Sequence, residues 1–254
     1  AERMIREMGN GTNPSNNTKA KGSQFSQLNT PQSQINAVRR KYEGTDQWMK
    51  APNGQPTKLN EVQWLQVRTP NFKAWFGDWE NDAKNASKVV DSNGEPLVVY
   101  HGSPVSVAAD SSQFKPGVEG GIFFAGDTYA ANHYAAASGR VNFTRPSSPK
   151  PAANVVPVYL SMQNPLEVDF DGKVKERGFD SLIEIAKSGG YDGLIVRNIV
   201  DRPVENMDGW PSSDVYAVFD PTQIKSAIGN TGEFNQTNPD IRFSRKAKNP
   251  ITEG

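Results

Sequence analysis

The sequence predicts an α+β fold built from short, mostly antiparallel strands with small helices between them. Three observations carry this. Short runs rich in Val, Ile, Phe and Tyr recur, each closed by Gly, Pro, Asn or Asp, the residues that start turns. The stretches with helical spacing that alternate with them are brief. The 254 residues include 22 Gly and 18 Pro and only 35% are hydrophobic, which suits a loop-rich domain better than a helical bundle.

Residues 1–45 are dominated by Asn, Gln, Ser, Thr and Lys. Such a stretch buries too little apolar surface to offset its ordering entropy, so it reads as a polar linker or tail, with a short helix around Ile35 to Tyr42. Residues 46–88 change character, with Trp48, Trp64, Phe72, Trp75, Phe76 and Trp79 close together. Leu59 to Val67 has helical spacing, with Leu59, Val62 and Val67 on one face. Thr69-Pro70 breaks it, and Asn71 to Phe76 forms a second short helix stopped by Gly77. The aromatic crowding reads as a mini-core that docks this lead-in onto the main domain, in preference to a platform for stacking bases or sugars.

Residues 89–245 form the main domain. Lys88 to Asp91 and Leu97 to Tyr100 flank an Asn93-Gly94 turn and read as a hairpin. Gly120 to Ala125 is a short strand, and Asp127-Thr128 caps a helix over Tyr129 to Ala137. Pro151 to Leu160 is a strand stopped by Asn164-Pro165-Leu166. Ser181 to Ser188 is a helix with Leu182, Ile185 and Ala186 on one side, ended by Gly189-Gly190. Tyr191 to Val196 and Asp214 to Phe219 are strands, the second stopped by Asp220-Pro221. From Thr222 on the chain is polar and is expected to hug the surface, with Lys225 a surface charge. Residues 246–254 are a tail, and the basic run from Arg242 to Lys248 solvates it.

Lys and Arg balance Asp and Glu at 28 each, so no global field recruits nucleic acid or a membrane. There is no apolar run of membrane-spanning length and no signal-peptide pattern, which predicts a cytoplasmic location in a host or target cell. With no cysteine and two histidines, thiolate chemistry is excluded and no metal site is expected. Glu167, Asp169 and Asp171 read as the charged edge of a turn.

Candidate site residues follow from strand ends. Val98-Val99-Tyr100 runs into His101-Gly102-Ser103, which places a histidine where a strand opens onto a loop, beside a residue with no Cβ to block a ligand. Two later strand-borne stretches stand out beside it, Gly120 to Tyr134 and Asp214 to Phe219.

Together these residues resemble a known family. Val99-Tyr100-His101-Gly102-Ser103 is similar to the nicotinamide-pinning strand of ADP-ribosyltransferases of the diphtheria-toxin and poly(ADP-ribose)-polymerase branch. Gly121 to Ala125 through Tyr134 resembles the second motif of that branch, and Asp214 to Ile224 the third. Phe72–Asp78, Asn93–Ser103, Gln223–Asn230 and Asn238–Ser244 look like the ADP-ribosyltransferase domain of phage and prophage polyvalent proteins. The resemblance implies split antiparallel β-sheets with an NAD cleft between them, and NAD as co-substrate. It implies that Tyr100, Gly102 and Ser103 contact NAD, that His101 bonds the adenosine-side ribose, and that Phe123 and Tyr134 sandwich the nicotinamide ring. Phe123 stands where the family has Tyr. The carboxylate of the third strand falls on Val215, which leaves Asp214, one residue earlier, as the expected acid and Glu205 as its alternative. The implied activity is mono-ADP-ribosyl transfer to a host macromolecule, a host protein before a nucleic acid, with no membrane partner. NAD hydrolysis, or a binding module without activity, are the other readings.

Overall fold

A computed structural model describes residues 30–103, 113–138, 154–174, 178–201 and 210–242. Its five helices are α1 (Pro31–Tyr42), α2 (Glu61–Gln66), α3 (Pro70–Phe76), α4 (Thr128–Ser138) and α5 (Asp180–Ser188). Its strands are β1 (Val99–Ser103), β2 (Ile122–Ala125), β3 (Asn154–Leu160), β4 (Pro165–Asp169), β5 (Gly193–Ile199), β6 (Ser213–Val218) and β7 (Ile224–Ser226). The α+β class is as predicted. The strands form one mixed sheet in the order β4-β5-β6-β2-β1-β3-β7, in which β4 and β5 run parallel and every other pair antiparallel. The expectation of two antiparallel sheets is corrected on this point, although the sheet is nearly divided. β1 pairs with β3 along its whole length but meets β2 at a single residue pair, Tyr100 with Ala125.

The lead-in forms as its caps dictate. Asn60 and Gln63 close a capping box on α2, and Thr69 caps α3 with Pro70 at its first turn. Gly77 ends α3 at φ 97°, and a Cβ there would lie 2.4 Å from the Ala86 Cα. Trp64, Leu65, Val67, Phe72, Phe76 and Trp79 are buried with Tyr159 of β3 and with Ala227 and Phe234. The mini-core reading holds, but its helix face does not: Val62 is 64% exposed, because the six-residue helix turns Trp64 and Leu65 inward. Within the stretch read as a polar tail, residues 31–42 form α1, whose Val38 is buried in the same core.

Three further expectations are corrected. Pro165 and Leu166 open β4 instead of a loop, since Pro is tolerated as the first residue of an edge strand. On α5 the buried residues are Ile183 and Ala186, and Ile185 is 54% exposed. The chain after Thr222 enters the core: all three residues of β7 are buried, as are Phe234 and Ile241. Lys225, expected at the surface, is fully buried and donates its ammonium to the Asn238 carbonyl at 2.5 Å. A polar average hid this strand because two of its three buried residues, Lys225 and Ser226, are polar. Among the described residues no helix is long and apolar enough to cross a membrane, and no acidic or histidine cluster could hold a metal ion.

Candidate active site

Where β1 and β2 part, a cleft of about 340 Å³ opens, lined by Tyr100, His101, Gly102, Phe123, Tyr134 and Asp201 among others. Its volume falls in the range of small-molecule sites. The parting leaves the Phe123 carbonyl of β2 facing the end of β1, and His101 answers it: its Nδ1 lies 2.8 Å from that oxygen. A carbonyl only accepts, so Nδ1 carries the proton and Nε2 keeps its lone pair. Burial holds the His101 pKa below its ordinary value, partly offset by this hydrogen bond, which keeps the ring neutral near pH 7. The ring is wedged by the edges of Phe114 and Phe124, with centroids 4.9 and 5.5 Å away. His101 therefore lines the cleft with its ring held in one orientation.

Gly102 earns its place for a different reason than expected. A Cβ there would not face a ligand. It would lie 2.0 Å from the Ala131 carbonyl oxygen of α4. The buried face of α4 is all alanine (Ala130, Ala131, Ala135), so helix and strand backbones touch, and Tyr134 is carried to the cleft wall. Burial first, and then the negative charge of Asp201, raise the Tyr134 hydroxyl pKa well above its usual value, so the phenol stays protonated.

Phe123 also lines the cleft, its ring stacked on Phe179 at 5.4 Å and 27°. Phe179 precedes α5, and its amide donates to the Glu119 carboxylate at 3.3 Å. Tyr100 lines the cleft as well and packs on Ala125, Ala130 and Ala131. Ser103 ends β1 opposite Asn154 and is not among the lining residues.

The expectation that Asp214 reaches the cleft is corrected. Alternation along β6 puts Val215 in the lining and Asp214 on the other face. There its carboxylate accepts from Arg197 at 2.7 Å and from the Asn198 amide at 3.1 Å. Glu205 lies outside the described residues. Among the described residues the carboxylates that line the cleft are Glu119 and Asp201, neither of which the sequence singled out. Phe114, Phe179 and Asp201 were missed because none lies on a sequence run whose periodicity fixes its direction. His133, read as a solvated helix residue, packs against Tyr129 and Trp210 at 4.3 and 4.6 Å.

The chain matches no curated protein and no solved structure. A family comparison does match it: residues 91–234, more than half of the chain, fit the family described as ADP-ribosyltransferase in polyvalent proteins. That span contains β1 to β7 and every residue named around the cleft, and the chain belongs to this family of ADP-ribosyltransferase domains.

Proposed function

We propose that the chain is an NAD-dependent mono-ADP-ribosyltransferase, encoded by a phage or prophage, that modifies a host macromolecule, a host protein before a nucleic acid. The observation that carries this is the opened β1–β2 seam, whose cleft is lined by a histidine anchored through its Nδ1 together with Phe123 and Tyr134. ADP-ribosyl transfer breaks the bond between ribose and the nicotinamide nitrogen. The bonding electrons leave with a neutral pyridine, so no general acid is needed; the site must orient two rings and tolerate positive charge at the ribose.

The residues suit that task. Nε2 of His101 accepts from a ribose hydroxyl, a positioning contact. The faces of Phe123 and Tyr134 offer stacking surfaces for the nicotinamide, each worth about 0.5–1.5 kcal/mol beyond buried area. Because β1 continues for three residues past its bridge with β2, backbone polar groups of that edge are available to a carboxamide.

The test is nicotinamide release from NAD by the purified chain, with and without host lysate, beside His101→Ala. We expect release and a labelled lysate component, with release falling about tenfold or more in His101→Ala, the loss of one hydrogen bond of about 1.4 kcal/mol. Release with no labelled acceptor identifies a glycohydrolase. Absence of release with lysate present leaves a binding module and refutes the enzyme.

A further inference from the structure

β6 carries Val215 where the family resemblance expects a carboxylate, and Asp201, just beyond the end of the neighbouring β5, lines the same cleft. On β5, Val196 pairs with Val215 and Ile199 with Ser213, so Arg197 and Asn198 together face the single residue Asp214. This is a β-bulge, and an extra residue reverses which face every later side chain takes. Before the bulge, Leu194 and Val196 point to the face shared with Val215, Ala217 and Phe179. After it, Ile199 does so again, where strict alternation would have sent it to the opposite side. Asp201, two residues on, shares the parity of Ile199 and lines the cleft at 6% exposure.

The bulge is built, not incidental. Asn198 sits at φ 51°, a left-handed conformation that a non-glycine residue holds only when its surroundings fix it. Its side-chain amide donates to both Asp169 oxygens at 3.1 Å, and its backbone amide to Asp214. Arg197 closes the set, 2.7 Å from Asp214 and 3.6 Å from Glu167. Glu119, the other carboxylate among the described lining residues, accepts from the Phe179 amide at the head of α5.

We propose that Asp201 is the carboxylate that stabilises positive charge on the ribose, and that Asp214 is a positioning residue whose hold on the bulge aims it. The inference rests on the transferase reading above. In the step, the bond from ribose C1 to the nicotinamide nitrogen breaks with its electron pair on nitrogen. C1 then bonds the acceptor nucleophile, whose proton passes to solvent. Asp201 gains and loses no atom; it acts by its charge and by accepting from ribose hydroxyls. Its interaction with the Tyr134 hydroxyl joins it to the stacking wall.

The test compares wild type, Asp201→Asn, Asp201→Glu and Asp214→Asn in nicotinamide release, with NAD binding measured by titration and folding by thermal melts. Wild-type release is the gate: without it the transferase reading fails and this inference falls with it. Given release, Asp201→Asn is expected to lower kcat about 100-fold or more with KM for NAD changed by less than about twofold. Asp201→Glu, which keeps the charge, is expected to retain more activity than Asp201→Asn. Wild-type kcat in Asp201→Asn, or equal loss in both variants together with NAD binding, overturns the assignment. Should Asp201→Asn fail to fold, the kcat of Asp201→Glu against Asp201→Ser decides on the same terms. Asp214→Asn is expected to lower kcat in the wild-type background and to add nothing in Asp201→Asn; an additive loss overturns the positioning role.

Discussion

The aromatic core beneath β3 and the cleft beside β1 are made of the same kinds of residue and do opposite things with them. In the core, Trp64 is enclosed by Tyr42 and Trp48 edges at 5.3 Å, by the Arg68 guanidinium over its face at 3.8 Å, and by its own indole donation to the Lys50 carbonyl. Arg68 in turn pairs with Glu95 at 2.9 Å, both fully withdrawn from water. In the cleft, Phe123 has Phe179 on one side and borders open space, and His101 spends one nitrogen on Phe123 and keeps the other. What separates packing from recognition here is whether the protein itself completes a group's surroundings. Residue type does not decide it.

Breaking the closed side has the largest effect. Trp64→Ala should cost about 3–5 kcal/mol of unfolding free energy, measured by denaturant titration, because cavity and transfer losses add at a fully buried ring. A loss under about 1 kcal/mol would mean the core is less closed than its contacts imply.

Gly102→Ala probes the seam between the two regions. The new methyl meets the α4 backbone, not a flexible side chain, so overpacking of about 1–3 kcal/mol is expected, with nicotinamide release lost as Tyr134 is pushed from the wall. Unchanged melting and release would show that α4 yields without cost.

The smallest effect sharpens the contrast through Lys225. Burial lowers its pKa to about 8 from the ordinary 10.5, with Asp240 pulling it upward. Between those values the unfolded chain holds a proton that the folded chain has released, so stability rises with pH across that window. The melting temperature of wild type should climb from about pH 8 towards 10.5 relative to Lys225→Met, which removes the titrating group. Parallel curves would show that Lys225 is not penalised by its burial.

Much of the fold was legible because its strands are short and well punctuated: Ile122 to Ala125 and Ser213 to Val218 lie within a residue or two of where turn formers place them, whereas β1 runs on to Ser103, three residues past its expected end at Tyr100. That His101 lines the cleft was legible from the strand that carries it, and that Phe123 and Tyr134 do so was legible only through the family resemblance. Asp201 was not. Its direction depends on the left-handed turn at Asn198, which is fixed by Asp169 and Asp214 from other strands and leaves no periodic trace. Lys225 failed on other grounds: a single lysine reads as exposed until its carbonyl partner, thirteen residues on, is in place. Gly102 was singled out for leaving room to a ligand, whereas the space its missing side chain leaves is filled by the backbone of α4.

The lead-in core also has a history in time. Gln63 donates to the Ala227 carbonyl across 164 positions of sequence, and Asn71 to that of Gly232 across 161. At ribosomal speeds of about 5–20 residues per second, the tryptophans emerge roughly 10–30 s before the segment that covers them. During that interval the chain carries an uncovered aromatic surface that chaperones can recognise. The last part of the fold to be made is therefore the part that closes the first.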